Sequence, residues 1–323
     1  MTPSGWELEA DQRHRELIAR ELGIESSKGL STPGIDEPLK EEDVELSDWK
    51  LKAYRSLAAR ANYLSLDRPD IQYSVKELCR SMSRPTEGSW RKLMRVGKYL
   101  VARPRLAMRH NWQEEQQVIT TSSDANWAGC LHSTKSTSGG SILVGDHLIK
   151  TWSKTQTNIA LSSTESEFYS TLKAAQESIG IISLAEDFNK TMTARLQVDA
   201  SAALGVAQRM GIGKIRHLQT GALWLQQQQL RNIVQLSKIP GADNTSDLMT
   251  KNVAREVLER HVTSMSGRFA VGRAGNAIER NVIKRKIRQQ SAELRMLRSK
   301  NSVENQSIKG EVKLLTLTTL SAW

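Results

Sequence analysis

The chain has 323 residues, a length that favours two folded units with tails over one small core. Its hydrophobic fraction of 38% and charged fraction of 25% are typical of a soluble protein. No basic-then-apolar signal segment opens the sequence and no apolar run approaches membrane-spanning length, which excludes the secreted and membrane-spanning classes. We therefore expect a soluble intracellular protein.

The net charge of +11 is distributed unevenly. Residues 1–50 carry 13 acidic and 6 basic side chains, residues 51–254 carry 16 acidic and 26 basic ones, and residues 255–323 carry 6 acidic and 14 basic ones. A basic middle and tail favour a polyanionic partner, nucleic acid above all, over a charge that serves solubility alone. The two cysteines, Cys79 and Cys130, show no metal-ligand or redox spacing and are expected to be reduced.

The first part of the chain is predicted to be helical. Residues 7–23 carry part of an apolar stripe and predict a helix, which an acidic linker containing Gly and Pro follows. Residues 51–103 alternate helical segments with a break at 66–71, where Pro69 suits the start of a second helix.

A third helix is predicted from Trp90 to Val101, with Ser89 as its N-cap. Its polar surface is basic and contains Arg91, Lys92, Arg95 and Lys98. Two interpretations stay open for this surface, a solvated helix face and a track for nucleic-acid phosphates.

The next part combines strands with helices. Strands are predicted at 118–123, 139–144, 148–152, 195–198 and 232–239, and helices at 163–188, at 200–210 and from 245 onward. The pair Gly145-Asp146 favours a hairpin between the second and third strands. The order predicts the α/β class, with a mixed five-stranded sheet and flanking helices behind a small helical region. Beyond about residue 276 the sequence predicts a basic amphipathic helix that attracts RNA or DNA.

Four acidic residues, Asp124, Glu167, Asp199 and Asp247, fall where these elements begin or end. Asp124 and Asp199 end strands, and ligand sites on sheets with parallel strands gather at such ends. Glu167 lies in the first turns of the long helix and Asp247 begins the last one, so all four are expected to meet at one edge of the sheet. Like charges that meet cost stability, and two divalent cations would remove that cost and cleave phosphodiesters. Oxygen-only ligands suit Mg²⁺, with Mn²⁺ as an alternative. The residues therefore predict a nuclease.

Each acid also has a structural interpretation. An Asp after a strand is often a turn or a helix cap, which is how Asp199 or Asp247 alone would be interpreted. Ser162 and Glu165 stand in capping-box spacing, so Glu165 is expected to bond backbone N–H groups while Glu167 faces the metals. Glu165 is the substitute ligand if the helix begins one turn later.

Residues 118–255 resemble the ribonuclease H domain of copia-type (Ty1/copia) retrotransposon Pol polyproteins. The matching blocks occur in order, at 123–130, 136–140, 152–156, 161–168, 198–202, 214–217 and 246–251. Upstream, residues 54–57, 68–71 and 83–86, together with Trp90, are similar to the segment that joins reverse transcriptase to ribonuclease H in the same polyproteins.

The resemblance implies an endonuclease that cuts the RNA strand of an RNA–DNA hybrid with two metal ions. Asp124, Glu167, Asp199 and Asp247 would be the metal ligands, and His217 would lie in a loop near the site and help the product leave. A lone surface histidine is the other interpretation of His217. Contacts to 2′-hydroxyls would select RNA, while phosphates of the DNA strand are held.

The resemblance also implies a domain order and a location. Residues 1–50 would be an acidic helix with a linker, 51–112 a helical remnant of the reverse transcriptase connection or thumb, 113–255 the ribonuclease H-like domain, and 256–323 a basic, partly helical or disordered tail. The rest of a reverse transcriptase is an expected partner, and a membrane is not. The cytoplasm is the expected location, with the nucleus or virus-like particles as alternatives.

Two departures from the family pattern bear on activity. Asn126 replaces a second Asp that the family usually shows, although Asp124 is the one expected to bind metal. No Tyr-x-Asp-Asp polymerase motif occurs, so the chain alone should not synthesise DNA. A non-catalytic nucleic-acid-binding relic, or a structural partner of a separate reverse transcriptase, is the alternative to an active nuclease.

Overall fold

The structure is a computed structural model that describes residues 4–36, 44–130, 133–208, 219–275 and 277. Eight strands and nine α-helices account for most of these residues. In chain order they are β1 (Gly5–Glu9), α1 (Gln12–Glu21), α2 (Asp48–Ser65), α3 (Gln72–Arg80), α4 (Glu87–Ala102), β2 (Arg105–Asn111), β3 (Val118–Asn126), β4 (Thr137–Val144), β5 (His147–Thr155), α5 (Ser163–Asp187), β6 (Thr193–Val198), α6 (Ser201–Gln208), α7 (Gln219–Leu230), β7 (Val234–Lys238), α8 (Asp247–Thr250), α9 (Arg255–Ser264) and β8 (Gly267–Ala270). Among these described elements, no helix combines the length and apolar character that crossing a bilayer requires.

The larger sheet has the strand order β5-β4-β3-β6-β7. β3 pairs antiparallel with β4 and parallel with β6, and β6 pairs parallel with β7. This arrangement confirms the predicted α/β class, with a mixed five-stranded sheet, flanking helices and a preceding helical region. The predicted turn between β4 and β5 is also present, and Gly145 adopts φ +58° there, a left-handed conformation that costs glycine little.

A second, three-stranded sheet was not predicted. Its order is β1-β2-β8, and Glu7 pairs with Arg109 and Met108 with Gly267 in antiparallel register. The helix predicted at 7–23 is therefore wrong at its start, because residues 7–9 belong to β1 and α1 begins only after the N-cap Asp11. The partner strand lies about a hundred residues away in sequence, so local periodicity does not reveal the pairing.

The helical region begins with α2 and ends with α4. The predicted break after α2 is present, and Pro69 opens a short 3-10 turn that leads into α3. The predicted cap of the third helix is wrong: α4 begins at Glu87, and its N-cap is Thr86, whose side chain accepts a hydrogen bond from the backbone N–H of Ser89.

The motif at residues 68–71 forms a buried polar network. Arg68 Nε and Nη2 donate to the two carboxylate oxygens of Asp70 at 2.8 and 2.7 Å, and the Tyr99 hydroxyl donates to Asp70 at 2.7 Å. Arg68 also donates to the carbonyl of Arg103 at 3.0 Å. The hydrogen bonds from Tyr99 and to Arg103 therefore hold α4 against the turn before α3. Removing one member of the network would leave a buried charge unpaired.

The helices after β6 differ from the prediction in two respects. The helix expected from residue 245 is divided into α8 and α9, because Lys251 adopts the extended conformation φ −147°, ψ 163°. The helix α7, which precedes β7, was not predicted. The part of the predicted helix 200–210 that is described ends at Gln208.

The division of the chain into four segments remains a prediction. One hydrophobic cluster contains members of all four, including Ile18, Tyr54, Leu248 and Val262. A second cluster lies between the larger sheet and its helices and includes Phe168 of α5. The chain separates into the units Met1–Arg273 and Ala274–Trp323. The predicted basic helix lies in the latter unit, almost wholly outside the described residues.

Candidate metal centre

Two neighbouring parallel strands bring Asp124 and Asp199 together. In the register of β3 and β6, Ser123 lies opposite Val198, so the following positions, Asp124 and Asp199, are neighbours at the carboxyl ends of both strands. Asp124 is buried and Asp199 is half-buried. Within β3, the alternation of side chains turns Ser123 and Ala125 to the face opposite Asp124.

Asp247 reaches this edge because α8 packs closely on β3 and β4. Gly139 lies opposite Asp124 in the β3–β4 pair, and a Cβ atom on Gly139 would lie only 2.5 Å from Cβ of Met249 in α8. The side chain of Asn244 donates to the Ser123 carbonyl at 3.0 Å. The glycine therefore gives α8 the space to approach the strand that carries Asp124.

Asn126, the departure from the family pattern, takes part in the same attachment. Its side-chain nitrogen donates to the carbonyl of Thr250 at 3.2 Å. An ionised Asp at this position has no proton to donate, so it could not make this bond. Asn126 thus holds the last residue of α8 against the end of β3.

α5 directs Glu167 toward the same edge. Ser170, one turn further along α5, donates from its hydroxyl to the Asp124 carbonyl at 2.6 Å. Residues three apart on a helix share a face, so this bond also turns Glu167 toward Asp124. Gln156 fixes the start of α5 by donating to the carbonyl of Ser166 at 2.9 Å.

The carboxylates converge. One oxygen atom from each of Asp124, Asp199 and Asp247 lies within 4.8 Å of the others. Glu167 is outside this close group, but its Oε2 is buried and has no hydrogen-bond partner among the described residues. The sequence predicted that these four acids would meet at one edge of the sheet, and the structure brings Asp124, Asp199 and Asp247 together there. Their role as metal ligands stays a prediction.

The electrostatics of the centre follow from burial. Burial raises the pKa of Asp124 and of Asp247 above their ordinary values, against the lowering effect of Lys251 on both. Burial, with added repulsion from Asp124 and Asp199, raises the pKa of Glu167 to about 8. In the metal-free protein, these groups therefore resist ionisation together.

The raised pKa of Glu167 predicts that the free energy of unfolding depends on pH, and that Mg²⁺ changes this dependence. The pKa of Glu167 rises from an ordinary 4.5 to about 8 on folding, so its contribution to stability is full below 4.5 and is lost as the pH rises through 8. With EDTA present, the free energy of unfolding of the wild type relative to Glu167→Gln should fall between pH 5 and pH 8. Mg²⁺ should reverse the trend, because a cation binds the ionised form. Urea unfolding at four pH values tests this; a difference that stays flat with pH would contradict it.

Glu165 has the capping role predicted for it. The backbone N–H of Glu165 donates to Ser162 Oγ at 3.2 Å, and its own carboxylate accepts from the backbone N–H of Leu161 at 2.9 Å. The helix α5 begins at Ser163, where it was predicted, and not one turn later. Glu165 was the substitute ligand only for the later start, so Glu167 remains the predicted ligand. His217 lies outside the described residues.

Two residues next to the carboxylates received no role from the sequence. The Thr250 hydroxyl donates to Asp124 Oδ2, and Lys251 Nζ lies 2.8 Å from Asp247 Oδ1. The four-residue spacing of Asp247 and Lys251 was the only available signal, and it is common on helix surfaces.

The residues present fit a divalent cation. The close group consists only of carboxylates, which suits Mg²⁺ or Mn²⁺, and Oε2 of Glu167 is a buried acceptor to which no described residue donates. Fold and site together define an α/β protein with a carboxylate centre at the carboxyl ends of parallel strands. No protein-family model matches the chain.

Comparison with known proteins finds relatives among the Pol polyproteins of plant transposons. The chain is 25% identical over 270 residues to the retrovirus-related Pol polyprotein from transposon RE1 of Arabidopsis thaliana, which covers 81% of this chain and 18% of that protein. It is 31% identical over 179 residues to the uncharacterised mitochondrial protein AtMg00810 of the same plant, covering 54% of this chain and 72% of that protein. Homologues of the chain thus include copia-type, retrovirus-related Pol polyproteins from transposons. It spans less than a fifth of the length of the RE1 polyprotein.

Among solved structures, the N-terminal ribonuclease H domain of Rv2228c from Mycobacterium tuberculosis, in a fusion with maltose-binding protein, is similar to part of the chain. The TM-score is 0.32 and the identity 11%, over 46% of this chain and 99% of that one.

Proposed function

We propose that the chain is the ribonuclease H module of a retrotransposon Pol polyprotein, a metal-dependent endonuclease that cleaves the RNA strand of RNA–DNA hybrids. The observation that carries the proposal is the convergence of Asp124, Asp199 and Asp247 within 4.8 Å at the carboxyl ends of β3 and β6. The similarity of the chain to retrovirus-related Pol polyproteins from transposons supports it. The rest of a reverse transcriptase is the proposed partner.

Each acid has a proposed role. Asp124 would be a ligand of both Mg²⁺ ions, Glu167 and Asp199 would hold them from α5 and from the end of β6, and Asp247 would hold the second, more weakly held ion. When bound, the ions supply an activated water and stabilise the leaving oxygen of the phosphodiester. The protein contributes the position of each ligand: Ser170 bonds the backbone of Asp124, and the hydroxyl of Thr250 bonds its carboxylate.

A basic groove supports a nucleic-acid substrate. It has a volume of about 1090 Å³ and lies among α3, α4, the segment 33–36 and the loop after β3. Its basic residues are Arg80, Arg84, Arg91, Lys92, Arg95 and Lys135, against the acidic Asp36, Glu45 and Glu77. Arg80 and Arg84 pair with Glu77 and Glu45. The remaining basic groups give the groove its positive charge.

The groove extends toward the carboxylates. Asn252, next to Lys251, lines it on one side. Gly129 lines it as well, and a Cβ atom on Gly129 would lie 2.4 Å from the side chain of Asn126. A strand that follows the groove would therefore pass close to Asp124 and place its phosphates beside Arg91 and Lys92 of α4. This geometry favours the phosphate-track interpretation of the basic helix surface.

Charge reversal in the groove is expected to weaken hybrid binding without regard to sequence. The double variant Arg91→Glu/Lys92→Glu should lose roughly tenfold or more in affinity, and the slope of log K against log salt should become shallower by about 2, since each phosphate contact contributes about 0.9. Fluorescence anisotropy with a labelled hybrid at several salt concentrations measures both. Lys190→Glu, an exposed lysine that pairs with Glu115 and does not line the groove, is the control. An unchanged slope in the double variant would exclude the groove as the track.

Cleavage of a labelled RNA–DNA hybrid, with and without Mg²⁺, tests the function itself. We expect Mg²⁺-dependent cuts in the RNA strand that leave a 3′ hydroxyl, and no cutting of the DNA strand. Hybrid binding without cleavage at any Mg²⁺ or Mn²⁺ concentration would refute the nuclease and favour the non-catalytic relic.

A further inference from the structure

Lys251 lies where the carboxylates meet. Its Nζ is 2.8 Å from Asp247 Oδ1 and 3.8 Å from Asp124 Oδ2. It thus contacts two of the three acids whose oxygens lie within 4.8 Å of one another. One ammonium group is therefore shared between two candidate metal ligands on different elements, β3 and α8.

This contact differs from an ordinary lysine–carboxylate pair on a helix surface. Asp247 and Lys251 have helical spacing, but α8 ends at Thr250 and the backbone of Lys251 is extended. The extended backbone aims the side chain back across the sheet edge to Asp124. By contrast, Lys173 and Glu177 form an i,i+4 pair within the continuous helix α5.

The need for a cation here is electrostatic. Three carboxylates at this separation repel one another, and Asp124 is buried, where water screens that repulsion least; both effects cost stability. An ammonium group at hydrogen-bond distance offsets part of both costs.

A divalent cation would compete for the same oxygen. Lys251 Nζ lies 2.8 Å from Asp247 Oδ1 and carries a charge of the same sign as the ion. An ion bound at Asp247 must therefore displace the ammonium group or accept its repulsion. The side chain is 45% exposed, so it can move into solvent without unpacking the core.

We infer that Lys251 is an internal counter-ion that occupies the Asp247 side of the carboxylate centre until a divalent cation replaces it, and so sets the cation concentration at which the centre fills. The inference rests on the proposed function, because Asp124 and Asp247, which Lys251 contacts, are the metal ligands proposed there. It assigns Lys251 a positioning role, since the lysine acts through Asp247 and Asp124.

Metal binding can be measured without any cleavage assay. Mn²⁺ titration of the full chain, with free Mn²⁺ followed by electron paramagnetic resonance, gives the dissociation constants. Lys251→Met, which keeps the length but removes the charge, should bind the weaker ion about tenfold more tightly. Lys251→Arg should stay close to the wild type, because it keeps the charge. Lys173→Met removes a comparable lysine–glutamate pair on α5 and should change nothing.

The metal-free protein provides a second readout. With EDTA at pH 8, Lys251→Met should melt at a lower temperature than Lys173→Met, and saturating Mg²⁺ should remove the difference. Lys251→Gln replaces Lys251→Met if circular dichroism shows that the latter is unfolded. An unchanged or weaker Mn²⁺ affinity in the uncharged variant overturns the inference.

The outcomes separate this inference from the nuclease proposal. Tighter Mn²⁺ binding by Lys251→Met together with a wild type that cleaves no hybrid would retain the counter-ion and reject the nuclease. A cleaving wild type whose Lys251→Met variant binds Mn²⁺ no more tightly would reject only the counter-ion. Absence of Mn²⁺ binding in the wild type and all variants would reject both.

Discussion

Replacing Asp124 by Asn is expected to abolish Mg²⁺-dependent cleavage of an RNA–DNA hybrid, with a loss of about a thousandfold or more. Asp124 lies on the central strand, and one of its oxygens lies within 4.8 Å of an oxygen of both Asp199 and Asp247, which is why we propose it as a ligand of both ions. Asn keeps the size and one oxygen but has no charge to hold a cation. Initial rates of hybrid cleavage over a range of Mg²⁺ concentrations measure the effect.

The fold should survive this change. Burial raises the pKa of Asp124, so a neutral side chain is tolerated there, and the melting temperature with EDTA should stay near that of the wild type. The stabilisation by added Mg²⁺ should disappear. Asp146→Asn, an acid in the exposed hairpin turn, is the matched control and should cleave normally. Wild-type rates in Asp124→Asn would refute the assignment of the centre.

Replacing Gly139 by Ala is expected to separate α8 from the sheet. The added methyl group would lie 2.5 Å from Met249 Cβ and 2.6 Å from Thr250 Cγ2, and backbone would have to move to relieve the overlap. Overpacking of this kind costs about 1–3 kcal/mol. Because α8 carries Asp247 and ends beside Asp124, we also expect hybrid cleavage to fall by roughly a hundredfold, since ångström-scale misplacement has that effect.

Gly180 is the control for this substitution. It lies within α5, and a Cβ atom there would meet no other group within 4 Å. Gly180→Ala should therefore stabilise the protein by about 0.5–1 kcal/mol, because Ala costs less than Gly in a helix. Urea unfolding should therefore give a lower free energy of unfolding for Gly139→Ala and a higher one for Gly180→Ala than for the wild type. A stability of Gly139→Ala equal to that of the wild type would show that α8 is not tightly packed there.

Local patterns predicted much of the larger sheet. The alternation of apolar residues located its strands, the pair Gly145-Asp146 located the hairpin, and Ser162 with Glu165 located the start of α5. These features depend on neighbours within a few residues, which a sequence displays directly. The convergence of Asp124 and Asp199 could be predicted too, because parallel strands bring their carboxyl ends to one edge.

Other features depend on contacts between distant residues. β1 forms a strand because it pairs with β2, and the sequence around it resembles a helix when it is considered alone. Thr86 rather than Ser89 caps α4, a choice that similar side chains three positions apart leave open. The division between α8 and α9 follows from the extended backbone at Lys251, for which the sequence has no local signal.

By itself, the sequence determined which acids are available, which elements carry most of them and which polyproteins the pattern resembles. The tertiary structure decided how they meet: the absence of a side chain at Gly139 admits α8, Asn126 ties it down, and Lys251 takes a position between Asp124 and Asp247. The reason is physical, since propensity and periodicity act over a few residues, whereas packing and charge act through space on residues that the chain separates by more than a hundred positions.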